Sequence, residues 1–92
     1  MNYGLRHGTV LKLTSGSSSS ASSAFTDGTE YVRVVSTIAC HIHIDVSPTA
    51  TTSTTLLPAN EVETIKVSAG EKIAVLRIGG SDGELYVTEL TE

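Results

Sequence analysis

Residues 31–46, YVRVVSTIACHIHIDV, limit the fold more than any other stretch of the chain. From Ile38 onward Ile38, Cys40, Ile42, Ile44 and Val46 fall on one side, and Ala39, His41, His43 and Asp45 on the other. Side chains alternate across a strand with period two, whereas an amphipathic helix repeats its apolar residues three and four apart. This segment is therefore a half-buried β-strand. Residues 30–36 before it, rich in valine, form a second strand. Only Thr37 separates the two. Either they pair tightly across a bend or bulge, or one bent strand serves both sheets of a sandwich.

The same period governs the rest of the chain. Residues 8–13 (GTVLKL) read as a strand. Residues 14–23 hold seven serines and too little apolar surface to offset the entropy of ordering them, so a flexible loop, or an arm that orders on a neighbouring subunit, is expected. Asp27-Gly28 marks a turn, with a short strand before it at 24–26. Pro48 ends the long strand because it has no N–H for the ladder. Residues 49–55 carry five threonines and read as a loop that runs into a short edge strand at 54–57. A strand follows at 61–67, with Ile65 and Val67 on one face. Ser68-Ala69-Gly70 reads as a compact hairpin loop. The strand 71–78 is apolar on both faces from Ile73 to Leu76, which predicts a central position covered on both sides. After the glycine-rich turn 79–83 comes a last strand, 84–90, with Leu85 and Val87 opposed to Tyr86, Thr88 and Leu90.

Seven or eight short strands at this spacing, with connections too short for helical crossovers, define an all-β protein. The expected architecture is a small antiparallel β-sandwich, jelly-roll-like, with a flexible N-terminal arm. Residues 1–92 make one domain, divided into an arm and serine-rich loop (1–23) and the sandwich proper (24–92). A chain of this length buries only roughly 60–65% of the surface its unfolded form exposes, so its margin of stability is thin and oligomerisation is a natural remedy.

Charge and composition exclude several classes of function. The net charge is −4, and the six lysines and arginines are scattered. Nucleic-acid binding needs a dense basic patch, and a cationic membrane surface needs the same, so neither partner is expected. No run approaches the ~18 apolar residues of a membrane span, and no apolar signal core stands at the start. The single cysteine, Cys40, cannot form an intrachain disulfide and reads as a small buried hydrophobe. These features suit a soluble protein made in a reducing cytoplasm.

The strongest chemical candidate is His41-x-His43-x-Asp45. Alternate residues of a strand project to one side about 6.5–7 Å apart, and imidazole with carboxylate suits zinc, copper or iron. An HxH strand occurs in cupins, where a glutamate a few residues on and a distant histidine complete the site. Residues 44–55 here contain no glutamate, and nothing in the sequence places His7 nearby. The expectation is no metal and no cofactor, with His41, His43 and Asp45 as weak candidates. A solvent- or subunit-facing strand face is preferred, and a pH-sensitive interface is a third reading. Catalysis has less support. No serine sits in a G-x-S-x-G elbow, strand alternation turns Cys40 and His41 to opposite faces, Glu61 and Glu63 read as solvated, and the glycines of 79–83 do not open a helix. No enzymatic activity is expected.

Four stretches carry a family resemblance: residues 1–8 (MNYGLRHG); 31–37 (YVRVVST) running into Cys40-His41-Ile42; Leu57-Pro58-Ala59-Asn60; and 70–77 (GEKIAVLR). With them the chain, chiefly from residue 30 to residue 92, resembles small proteins encoded among the virion structural genes of tailed bacteriophages and prophages. The resemblance implies a non-enzymatic particle component, first of all a head decoration or cement protein. Such proteins are small, β-rich and commonly trimeric, and they clamp neighbouring capsid subunits from outside. It implies the major capsid protein as partner, a homotrimer, and a place on the capsid surface after synthesis in the host cytoplasm. A tail or fibre accessory protein, a cupin-like metal module and a carbohydrate-binding sandwich are the alternatives, the last disfavoured by the few aromatic residues. The residues expected to make contact are Tyr3, Arg6 and His7 in the arm and His41, His43 and Asp45 on the strand face.

Overall fold

The computed structural model describes residues 6–91. Eight strands follow in order: β1 (Arg6–Ser15), β2 (Ser20–Ala21), β3 (Tyr31–Ser36), β4 (Cys40–Asp45), β5 (Thr55–Leu57), β6 (Glu63–Lys66), β7 (Lys72–Arg77) and β8 (Gly83–Thr91). They form two four-stranded sheets, β1-β8-β3-β6 and β2-β7-β4-β5, with every pairing antiparallel. β1 pairs with β8, β2 with β7, β3 with β6 and β4 with β5. These nested pairs are one long antiparallel ribbon, and rolling it up adds the contacts β3–β8 and β4–β7. That is the jelly-roll arrangement.

The rolled ribbon explains the connections. Only β4 and β5 are consecutive strands of one sheet; every other link crosses between sheets. Of the two arrangements left open for residues 30–46, the crossing holds: β3 lies in one sheet, β4 in the other, and residues 37–39 step between them. Ser68-Ala69-Gly70 is likewise a crossing from β6 to β7 and not a hairpin. Its sharp reversal rests on Gly70 at φ 83°, a conformation that costs glycine little. Residues 24–26 are not a strand.

From Arg6 onward, residues of the segment 1–23 pair within the sheets as β1 and β2. β1 runs beside β8 from Arg6↔Thr91 to Ser15↔Gly83, with a bulge between His7 and Val10. The serine-rich stretch is tied along the edge of β7. Gly16 O accepts from Arg77 N (3.1 Å), Ser22 N donates to Ile73 O (2.8 Å), and Phe25 N donates to Glu71 O (2.9 Å). Ser22 Oγ also accepts from Ile73 N at 3.1 Å, and Ser19 Oγ accepts from Ala50 N at 2.9 Å. Small hydroxyl side chains order this stretch by hydrogen bonding to main chain, a route that an apolar-burial argument does not count.

The core lies between the sheets. Val32 and Val34 of β3, Cys40 and Ile42 of β4, Leu57 of β5, Ile73 and Val75 of β7, and Leu85 and Val87 of β8 are buried. Inward and outward residues alternate as the sequence requires. β7 is central, and Ala74 on its outer side is fully buried, while Leu76 is half-buried beside His41. The β4–β5 connection returns to this side: Thr54 O lies 3.0 Å from His41 Nδ1, and Ala50, itself buried, donates its N–H to Ser19 Oγ just before β2.

Candidate functional site

The outer face of β2-β7-β4-β5 carries the predicted constellation. Cys40, Ile42 and Ile44 point inward from β4, so His41, His43 and Asp45 point outward. His41 is half-buried between Leu56 of β5 and Leu76 of β7, its register partners on either side. Its Nδ1 lies 3.0 Å from Thr54 O. A carbonyl only accepts, so Nδ1 is the donor in this bond. His43 Nε2 stands 3.7 Å from Asp45 Oδ2, while Asp45 Oδ1 accepts from Val46 N. The strand thus brings all three residues to one face, with two of them in contact with each other. Among the described residues no group of three or more His, Cys, Asp or Glu is placed to hold an ion. The arrangement offers hydrogen bonds, an imidazole–carboxylate contact and an exposed leucine. Tyr3 lies outside the described residues. Arg6 and His7 open β1, and their side chains lie outside the description.

The remaining candidates sort by face. Cys40 is fully buried and faces away from His41. Burial pushes its thiol up, partly offset by the Ser36 and Ser15 hydroxyls. A thiol held protonated is a poor nucleophile. Ser15 Oγ is itself buried with no hydrogen-bond partner of good geometry among the described residues. Gly83 allows a close approach between elements, because a Cβ there would lie 2.4 Å from Ile38 Cγ1.

Three features went unread in the sequence. The first is Glu89, which is only 2% exposed. It continues the inward row Leu85, Val87 on β8, opposite Val32. Its Oε2 accepts from Thr26 N at 3.0 Å and its Oε1 from Thr29 Oγ1 at 3.1 Å, so it clasps the Asp27-Gly28 turn. The parity of 85, 87 and 89 was the available signal. The second is a surface cluster on the other sheet. Lys12 Nζ meets Glu84 Oε2 at 3.0 Å and lies over the Tyr86 ring, whose hydroxyl donates to the same oxygen. The Lys12 ammonium and then the Tyr86 hydroxyl hold the Glu84 carboxyl below its ordinary range, and Glu84 raises Lys12 in return. All of this is solvent-screened and contributes little to stability.

The third is an open slot of about 320 Å³ between the two sheets, where β5 and β6 form the edges. Ile42, Ile44 and Ile65 give it an apolar floor, and His43, Thr55 and Glu63 form its rim. Period-two reading places Ile42, Ile44 and Ile65 in the core but does not show that β5 is too short to cover the end of β4.

No protein-family model, curated protein or solved structure matched the chain.

Proposed function

We propose that the protein is a non-enzymatic structural component of a tailed-phage virion, and specifically a decoration protein that binds the outside of the head and stabilises it as a homotrimer. The observation that supports this best is the part-exposed row on the outer side of β4 and its neighbours. There Leu56, 53% exposed, and half-buried His41 and Leu76 form one cross-strand row, bordered by His43 and Asp45. A jelly roll braced by nested strand pairs is a stiff body, and a stiff body with a broad apolar-polar face loses little entropy on docking to a large protein surface. Many copies on a lattice reinforce one another through avidity. The family resemblance supplies the partner, the major capsid protein.

The test is co-sedimentation of the purified protein with heads built from the cognate major capsid protein and stripped of accessory proteins. Saturable binding at a fixed ratio to capsid protein is expected, with a sedimentation mass three times the monomer's for the free protein. Leu56→Glu, at an exposed position of a short edge strand, should fold normally and weaken head binding by about tenfold or more. Absence of binding to heads would overturn the decoration reading in favour of a tail component.

A further inference from the structure

The slot beside β4 has the features of a strand-addition site. β5 pairs only with Cys40, His41 and Ile42, while β4 continues to Asp45 along β7. The direction of the leftover hydrogen-bonding groups follows from the register. Ile73 uses its N–H and C=O on the β2 side, toward Ser22. Main-chain groups alternate sides along a strand, so Lys72, Ala74 and Leu76 face β4 and bond Asp45, His43 and His41. Cys40, Ile42 and Ile44 must then face the β5 side. Leu57 and Thr55 are the register partners of the first two. Ile44 is left with its N–H and C=O on an open edge, and among the described residues neither has a hydrogen-bond partner there.

Next to that edge is the slot. Its volume of about 320 Å³ is roughly ten times the ~30 Å³ share of one water, room for an aliphatic side chain with its flanking backbone. The floor is Ile42, Ile44 and Ile65, the last two only partly buried by the core they pack on. The charged group on the rim is Glu63, which forms no ion pair among the described residues.

We infer that this slot binds an extended segment of a different protein, and not of a second copy of this chain, and that the segment continues the line of β5 along β4. The segment would bond the Ile44 main chain, place a Val or Ile side chain on the isoleucine floor, and bring a Lys or Arg two residues away to Glu63. Residues two apart share a face of a strand, which sets that spacing. Main-chain pairing with pockets for alternate side chains is a general mode of peptide recognition. The inference stands on the edge and the slot alone and does not require the virion reading.

The probe is the peptide acetyl-Lys-Thr-Val-Thr-Lys-amide, titrated into ¹⁵N-labelled full-length protein and followed by amide chemical shifts. Saturable shifts at or below about 1 mM peptide are expected, centred on Ile44 with Ile42, Thr55 and Glu63. Replacing both peptide lysines by glutamate, or making Glu63→Lys at this exposed edge position, should weaken binding by about tenfold. Ile44→Pro gives a second check. Its N–H faces away from β7, so a proline there removes the edge donor and leaves the β4–β7 ladder in place. The variant should keep the dispersed spectrum of a folded protein and lose the peptide. Shifts that do not saturate, or that cluster on an outer sheet face, would overturn the proposal. So would shifts at Ile44 that appear on raising protein concentration alone, because the slot would then be filled by a second copy.

Discussion

Glu89 is the residue that most directly links sequence parity to stability. A carboxylate on the inner face of β8 is costly to bury unless its oxygens are satisfied. Here the Thr26 N–H and the Thr29 hydroxyl satisfy them, and in doing so fix the loop that carries Phe25 into the core. Glu89→Ala removes the acceptor and leaves the buried Thr29 hydroxyl without its partner. Urea denaturation at neutral pH should show a loss of about 1–3 kcal/mol. Glu89→Gln should lose less, since its carbonyl can still accept one of the two bonds while its NH₂ faces a donor. A wild-type midpoint for the alanine variant would show that the turn holds without the clasp.

At the scale of elements, the corners matter more than the strand interiors. The β3–β4 and β7–β8 crossings meet where Ile38 packs over Gly83, and Thr37 N donates to Glu84 O at 3.0 Å. Gly83→Ala drives a methyl into the branched end of Ile38, which cannot swing away as a long flexible chain could. A cost of about 1–3 kcal/mol is expected. In an Ile38→Ala background the same substitution should cost much less, with a coupling of about 0.5 kcal/mol or more in a double-mutant cycle. Equal costs in both backgrounds would show that the contact does not matter. This corner also marks what the sequence could reveal. Alternation in 38–46 placed Cys40 and Ile42 inside and the histidines outside, and the structure agrees. Alternation describes a strand's faces and not its partners, so it left the β3–β4 crossing open and misread the β6–β7 turn as a hairpin. The pairing of the serine-rich stretch with β7 was illegible for a different reason. It rests on main-chain and hydroxyl-to-backbone bonds such as those of Ser22 to Ile73, which hydropathy does not register. The slot was illegible because it depends on the length of β5 relative to β4, a matter of register.

For the whole molecule, the decisive fact is that the ribbon begins at β1. Leu11 and Leu13 pack against the core, and Ser15 is buried at the end of the strand. β1 also covers one edge of β8, a nine-residue strand. Without β1, β8 would become a long open edge with apolar neighbours, which is an aggregation template. A small domain has a stability margin of only a few kcal/mol to absorb such a loss. Deleting residues 2–15 should therefore abolish cooperative thermal unfolding by circular dichroism and yield aggregating protein, whereas a free arm would be removable without consequence. The distinction bears on any test of capsid contact through the N-terminus. Removing residues 2–7 cuts into β1, so weakened head binding by that variant would mix loss of contact with loss of fold. Removing residues 2–5 leaves β1 whole and tests the proposed N-terminal contact separately from the fold. A cooperative transition near the wild-type midpoint in the protein lacking residues 2–15 would show that the sandwich closes without its first strand, and would return residues 6–15 to the role of an arm.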